Sequence, residues 1–386
     1  MLGAAVARRS GAAAELRGPE PDTARREELP RRVDSLPLWL LIVIVVAAAA
    51  VTWVAGIQLS KTTDVLDDRL HIGSALGGLI VLAVATNLPE IAITVSAALS
   101  GDVSVAVGNI LGGIAIQTVV LVVLDVFGRR GKGVAPLTYR AASLTLVLEA
   151  VVVVAVLTVV VAGSQLPDGL VLLRLTPDVV LIAVLWVVGL LLVQRAGKGL
   201  PWHEEGRAPD ASPHTTGHRR RKPAEPHSRM STTRASVVFA VSALATLAAG
   251  VVLERAGDAA SSQLGLSGVL FGATVLALAT SLPEISTGLE AVRQGDDNLA
   301  MSDIFGGNAF LPVLFLVATL ISGQAVLPAA QASDIYLTAL AALLTLVYVV
   351  GLLFRPRRRI AGMGVDSLVV LVLYLVGLGG LFAIAS

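Results

Sequence analysis

A chain of 386 residues with 55% hydrophobic and 15% charged side chains carries far too little charge for a soluble domain. Its net charge of +1 points to no polyanionic partner such as nucleic acid, and the lack of cysteine excludes disulfides, thiolate metal sites and thiol nucleophiles. Apolar runs of 18 or more residues recur without the alternation of barrel strands, so the chain reads as an all-α, multi-pass membrane protein.

In chain order, residues 1–37 form a polar tail rich in Ala, Arg and Glu, without the apolar core and cleavage site of a signal peptide. Ten transmembrane helices are predicted at about 38–60, 72–99, 103–125, 138–163, 175–194, 235–253, 264–292, 298–321, 332–354 and 365–385. Between the fifth and sixth, residues 195–234 are basic, polar and Pro-rich, the composition of a flexible linker. It separates a first membrane half, 38–194, from a second, 235–386.

The halves share a sequence. Moving residues 78–115 by 194 positions onto 272–309 gives 18 identities in 38 positions without a gap. Chance in this composition would give about 4. The shared core is A-T-N-L-P-E-I at 85–91 and A-T-S-L-P-E-I at 279–285, and the match continues through Gly101-Asp102/Gly295-Asp296 and Gly112-Gly113/Gly306-Gly307. The copies lie five spans apart, and an odd offset inverts the second relative to the first. Two inverted five-helix repeats are an architecture of secondary transporters, with the binding site near the midplane. Loop charge fits this topology. With the central linker cytoplasmic, loops on its side hold 20 Lys/Arg, counting Arg140 at the start of the fourth span, and the opposite loops two, Arg174 and Arg255. The same parity puts the N-terminal tail outside, although it carries seven Arg against six acids.

Pro89 and Pro283 lack the amide hydrogen that a helix interior requires, so both helices are expected to break or kink there. Backbone carbonyls opened at membrane depth need protein, water or an ion. Thr86, Asn87, Thr280 and Ser281 place side-chain oxygens within one turn of the break, and Glu90 and Glu284 place carboxylates in the same unwound region. This all-oxygen mixture suits hard cations such as Ca2+. A single buried Glu is often only a helix-bridging hydrogen bond. Two at equivalent positions after a proline favour function. The Gly-Gly pairs fit close helix packing, which is compatible with bringing polar groups to an ion.

These residues resemble the cation/Ca2+ exchanger superfamily, in particular its Na+/Ca2+ exchanger branch, whose repeats read G-T-S-L-P-E and G-N-x-x-G-S-N. The motif resemblance covers about residues 72–120 and 265–315. It implies two inverted five-helix halves, a central ion site lined by the repeat helices, and antiport by alternating access. Carried over residue by residue, it makes Glu90 and Glu284 the central ligands, with Thr86, Asn87, Thr280 and Ser281 beside them. The family's serine is glycine in both copies, Gly113 and Gly307, with Ile114 and Asn308 at the following position. The Asn or Asp that completes the family's site is Gln117 in the first copy and Leu311 in the second. The expected cation ligands are therefore Glu90, Glu284, Thr86, Asn87, Thr280, Ser281, Gln117 and Asn308, with Asn109 and Asp303 as possible additions.

Other acids carry weaker signals. Glu149 lies mid-span without a counterpart, Glu290 is expected to pair with Arg293 at the interface, and Asp125 is expected among the headgroups. His203, His214, His218 and His227 fall in the linker and read as solvated. The expected function is Ca2+ exchange for Na+ or H+ at the cell membrane. A Na+/H+ or other cation antiporter and a cation channel are the alternatives. No H-E-x-x-H and no phosphate-binding G-x-x-x-x-G-K-[ST] occurs, so neither an enzyme nor a pump is indicated. No cofactor is expected, since Ca2+, Na+ and H+ enter as transported substrates. The partners are lipid bilayer and inorganic cations, with no nucleic acid and no obligatory protein partner.

Overall fold

The computed structural model describes residues 35–70, 83–101, 103–128, 134–141, 143–167, 169–197, 230–265 and 276–385. Most of the N-terminal tail, the linker histidines and the beginnings of the second and seventh predicted spans lie outside them. The helices are α1 (Leu38–Leu70), α2 (Leu88–Ser100), α3 (Val103–Phe127), α4 (Leu137–Arg140), α5 (Leu144–Gly163) and α6 (Pro177–Gly197) in the first half. The second half has α7 (Thr232–Gln263), α8 (Ala277–Thr280), α9 (Leu282–Gln294), α10 (Asp297–Phe310), α11 (Leu314–Ser322), α12 (Ala332–Phe354) and α13 (Val365–Ala385). A two-stranded hairpin, β1 (Arg359–Ile360) and β2 (Met363–Gly364), joins the last two helices.

Eight of the described spans are long and apolar enough to cross a membrane, with α10 and α11 counted as one interrupted span. The second and seventh predicted spans are the broken pair, α2 with the turn at 83–86 and α8 with α9. Two helices are longer than expected. α1 continues ten residues beyond its predicted end to Leu70, and α7 runs to Gln263 instead of ending near 253. Neither tail contains a proline, and each extends the helix in polar register beyond its apolar part. At 1.5 Å per residue, both exceed a hydrocarbon core of about 30 Å.

The central helix is α3, whose side chains are buried almost throughout. It packs against α2, α9, α10, α12 and α13, and these form the main apolar core together with α5, α6 and α11. α1 and α7 run along each other and build their own small clusters, Leu41 with Ala256, Ala259 and Ala260, and Ala48 with Ala249, Leu253, Leu276 and Ala279. Their outward Val and Leu side chains, like those of α6 and α13, are exposed where lipid would lie. The core and the α1–α7 pair are thus two layers that meet through α2 and α9, the helices that carry L-P-E.

Candidate functional site between the two repeats

Both glutamates stand in the first turn of a helix restarted by proline. Residues 83–86 form one helical turn, Asn87 leaves helical geometry (φ −89°, ψ 16°), and α2 begins at Leu88. The second copy repeats this with α8, Ser281 (φ −82°, ψ 5°) and α9. The break is narrower than the expected unwound segment. Asn87 N still donates to Ala83 O at 3.2 Å and Ile91 N to Asn87 O at 3.0 Å, and Ser281 N and Ile285 N do the same at 3.0 and 3.1 Å. Each break is one residue wide because the proline removes one donor and the flanking turns stay paired.

The neighbouring polar side chains turn back on that turn. Thr86 Oγ1 and Asn87 Nδ2 donate to Ala83 O, and Thr280 Oγ1 and Ser281 Oγ donate to Ala277 O, over 2.7–3.3 Å. A hydroxyl that donates its proton keeps acceptor lone pairs for a second partner. Glu90, Glu284, Asn87, Thr280 and Ser281 are all essentially excluded from the surface.

Gln117, from the middle of α3, joins the copies. Its Nε2 donates to Asn87 Oδ1 at 3.1 Å and to Glu284 Oε1 at 3.3 Å. Glu90 faces Thr280 and Gln117, yet neither of its oxygens makes a hydrogen bond of normal geometry. Glu284 Oε2 and Gln117 Oε1 are also buried without a donor among the described residues. Buried oxygens in this condition are costly unless a donor, proton or cation completes them. They meet where the two inverted copies face each other, and Glu284 lies within electrostatic reach of both Glu90 and Asp303.

The two glycine replacements have physical accounts. A Cβ on Gly307 would stand 3.1 Å from Asn87 Nδ2 and 3.6 Å from Gln117 Oε1, so the longer amides occupy the space beside it. A Cβ on Gly113 would meet Leu311 Cδ1 at 3.9 Å. The site is therefore polar on the Gln117 side and apolar on the Leu311 side.

The remaining candidates are dispersed. Asn308 Nδ2 donates to Thr118 Oγ1 at 3.0 Å, while its Oδ1 is unpartnered. Asp303 Oδ2 accepts from Thr287 Oγ1 at 2.9 Å, one turn along α9 from Glu284. Asn109 is buried on α3 with its Nδ2 unpartnered. Glu290 is exposed and accepts from Gln294 Nε2 at 2.8 Å instead of pairing with Arg293. Asp125 is buried rather than set among headgroups, because its carboxylate accepts from the amides of Leu137 and Gly364. Glu149 lines a small, half-open pocket with Trp186 and Phe305.

Two pairs of residues at the site escape the sequence reading. Gly56 on α1 lies against Pro283, where a Cβ would stand 2.9 Å from the proline Cβ. Gly250 on α7 lies against Pro89, where a Cβ would stand 3.1 Å from the proline Cα. Thr52 and Thr246, one turn away, are fully buried. The signal was present as T-x-x-A-G at 52–56 and 246–250, at the same offset of 194 as the L-P-E copies.

The sequence profile of the family described as "Sodium/calcium exchanger protein" matches residues 39–193 and 234–383. The chain belongs to this family. It is similar to the putative antiporter CaxA of Alkalimonas amylolytica, 28% identical over 280 residues that cover 72% of this chain and 80% of that protein. It is also similar to the inner membrane protein YrbG of Escherichia coli strain K12, 26% identical over 262 residues, 67% of this chain and 72% of that one. Among solved structures, the sodium-calcium exchanger NCX_Mj soaked with 10 mM Na+ and zero Ca2+ superposes with a TM-score of 0.58, at 14% identity, over 89% of this chain and 99% of that one. The H+/Ca2+ exchanger CAX gives 0.56, also at 14% identity, over 93% and 95%. The fold is thus ten membrane helices in two inverted five-helix halves. The chain is a multi-pass membrane protein of an exchanger family, hence a transporter and not an enzyme.

Proposed function

We propose that this exchanger moves Ca2+ against Na+ or H+ by alternating access, with Glu90 and Glu284 as the central ligands. The observation that carries this reading is the bridge from Asn87 through Gln117 to Glu284, beside Glu90 with both oxygens unpartnered. Two carboxylates neutralise one divalent ion; Thr86, Asn87, Thr280 and Ser281 supply neutral oxygens from the same turns, and Gln117 and Asn308 from α3 and α10. Ca2+ takes six to eight oxygens, so backbone carbonyls and water complete the shell. No resident cofactor takes part.

The layered fold supports a route for alternating access. The α1–α7 pair meets the rest of the protein across Gly56–Pro283 and Gly250–Pro89, directly over the two breaks. Movement of this pair relative to the α3-centred core would open the site to one side at a time. Loop charge favours a cytoplasmic connection between α6 and α7 in a cell-membrane protein, with the N-terminus outside. The domain division at the 195–234 linker belongs to the same reading.

A second reading rests on Leu311. It is fully buried and apolar at the position equivalent to Gln117, so the second copy supplies one oxygen fewer. That favours few counter-ions per cycle, and it fits an H+-coupled or Na+/H+ antiporter as well as a Na+-coupled one. Reconstitution separates these cases. 45Ca2+ uptake into vesicles is expected under an outward Na+ or H+ gradient. Ca2+ flux under neither gradient would remove Ca2+ as substrate, and flux indifferent to the counter-ion would indicate a channel.

A further inference from the structure

A second group of acids converges at the bundle end that carries the Arg355–Arg359 run. Asp125 lies about 12 Å along α3 from Gln117, and Asp366 is the second residue of α13. Asp125 Oδ1 accepts from Leu137 N at 2.8 Å, and its Oδ2 accepts from Gly364 N at 2.6 Å. Asp366 is 5% exposed, and neither of its buried oxygens makes a hydrogen bond of normal geometry, with Thr138 and the amides of Asp366 and Ser367 beside it. A Cβ on Gly364 would collide with Asp366 Oδ1 and stand 3.2 Å from Asp125 Oδ2, so the two carboxylates close on one point.

Two hydroxyls lie nearby. Tyr348, fully buried on α12, lies within electrostatic reach of both acids, and Thr138 on α4 stands beside Asp366. The Tyr348 hydroxyl and Thr138 Oγ1 make no hydrogen bond of normal geometry. The nearby guanidinium groups are engaged elsewhere. Arg359 donates to the carbonyls of Val134, Asp125 and Gly362, while Arg355 and Arg357 bond to Tyr139 and stack on its ring. Among the described residues no basic nitrogen lies within 4.0 Å of either carboxylate.

A helix start alone does not require this arrangement. Asp178 is the second residue of α6 and lies against Gly163, as Asp366 lies against Gly351. One carboxylate therefore meets the need at that place in the first half. The offset of 194 puts Thr319 of the second half, a neutral hydroxyl, at the position equivalent to Asp125 of the first. The second carboxylate is an addition to the shared plan. Two buried carboxylates without a cation nearby are strongly unfavourable, and oxygen-only surroundings select hard ions.

We propose that Asp125, Asp366, Tyr348 and Thr138 form a second cation site, which takes a divalent ion of the Ca2+ or Mg2+ class and ties the end of α3 to the α12–α13 hairpin. The site lies at helix ends, away from Glu90 and Glu284, and holds its ion rather than passing it across the membrane.

The test uses the full-length chain carrying Glu90→Gln and Glu284→Gln, so that the central carboxylates are gone whatever they transport. Ca2+ or Mg2+ is expected to raise the thermal midpoint of this purified protein, with about one 45Ca2+ bound per chain at equilibrium. Adding Asp366→Asn should abolish both effects, and Tyr348→Phe should weaken binding several-fold. The first measurement needs no change in the cluster, so the proposal stays testable even where Asp366→Asn does not fold. No midpoint shift and no bound ion in the Gln/Gln protein would overturn the proposal. So would binding that survives Asp366→Asn, or stabilisation by acid alone, which would assign the carboxylates a shared proton.

Discussion

Gly56 on α1 lies against Pro283 of the second repeat, and Gly250 makes the mirror contact with Pro89 of the first. Each glycine allows a long outer helix to rest on the break that positions a central glutamate. Gly56→Leu or Gly250→Leu would drive a side chain into the proline, at about 1–3 kcal/mol for an overpacked contact. Transport is expected to fall sharply in both variants, with expression and monodispersity retained. Gly56→Ala should fall between wild type and Gly56→Leu. Equal flux from all three in vesicles would show that the α1–α7 pair is not seated on the breaks in the way the contact indicates.

Glu90→Gln and Glu284→Gln preserve side-chain shape and remove one charge each. A divalent ion would then face a single carboxylate. Ca2+ binding should weaken by about 2–5 kcal/mol, typical of removing one partner from a buried charge contact. Exchange should be undetectable in either variant while the thermal midpoint stays near or above wild type, since an unpaired buried carboxylate is gone. Isotope uptake and calorimetric titration measure the two quantities separately.

Much of this architecture was legible because membrane insertion writes itself into composition. The ten spans, the five-plus-five division and the paired L-P-E breaks all follow from apolar length, proline and the internal repeat. Other features depend on contacts between distant segments. Asp125 looked interfacial from its place before V-F-G-R-R, and it is buried because the amides of Leu137 and Gly364 fold back onto it. The polar tails of α1 and α7 looked like loops, since hydropathy ends where the apolar segment ends and backbone pairing does not. Gly56 and Gly250 were readable only as a repeat, and their role appears when each is found on the proline of the opposite half. The last helices carry a weaker echo: Asp178, Gly189 and Leu190 correspond to Asp366, Gly377 and Leu378, at an offset of 188.

Asn87 and Gly307 form a matched pair, since a Cβ at position 307 would press on Asn87 Nδ2 at 3.1 Å. Gly307→Ser alone should displace the amide, disturb its bond with Gln117 and reduce transport. Asn87→Ser with Gly307→Ser shortens one side chain as the other grows, so the double variant should recover part of the lost flux. Contacting residues commonly couple by about 0.5–3 kcal/mol, and a double-mutant cycle on Ca2+ affinity would read that coupling. Additive effects would mean that the glycine is unrelated to the length of Asn87.

Arg140 and Asp297 form an ion pair of 3.1 Å that joins the short helix α4 of the first half to the start of α10 in the second. Both side chains are about nine-tenths buried, so water screens the pair weakly. Removing one partner leaves the other charge buried, which costs several times more than losing a surface pair. Asp297→Asn should lower stability in detergent by up to about 3 kcal/mol, seen as a lower thermal midpoint. Arg140→Met alone takes the guanidinium away from buried Asp297 and should be comparably damaging. The combination Arg140→Met with Asp297→Leu removes both charges and should restore most of the midpoint. That pattern separates a cost of unpaired charge from a loss of packing, because a packing defect would deepen in the double variant.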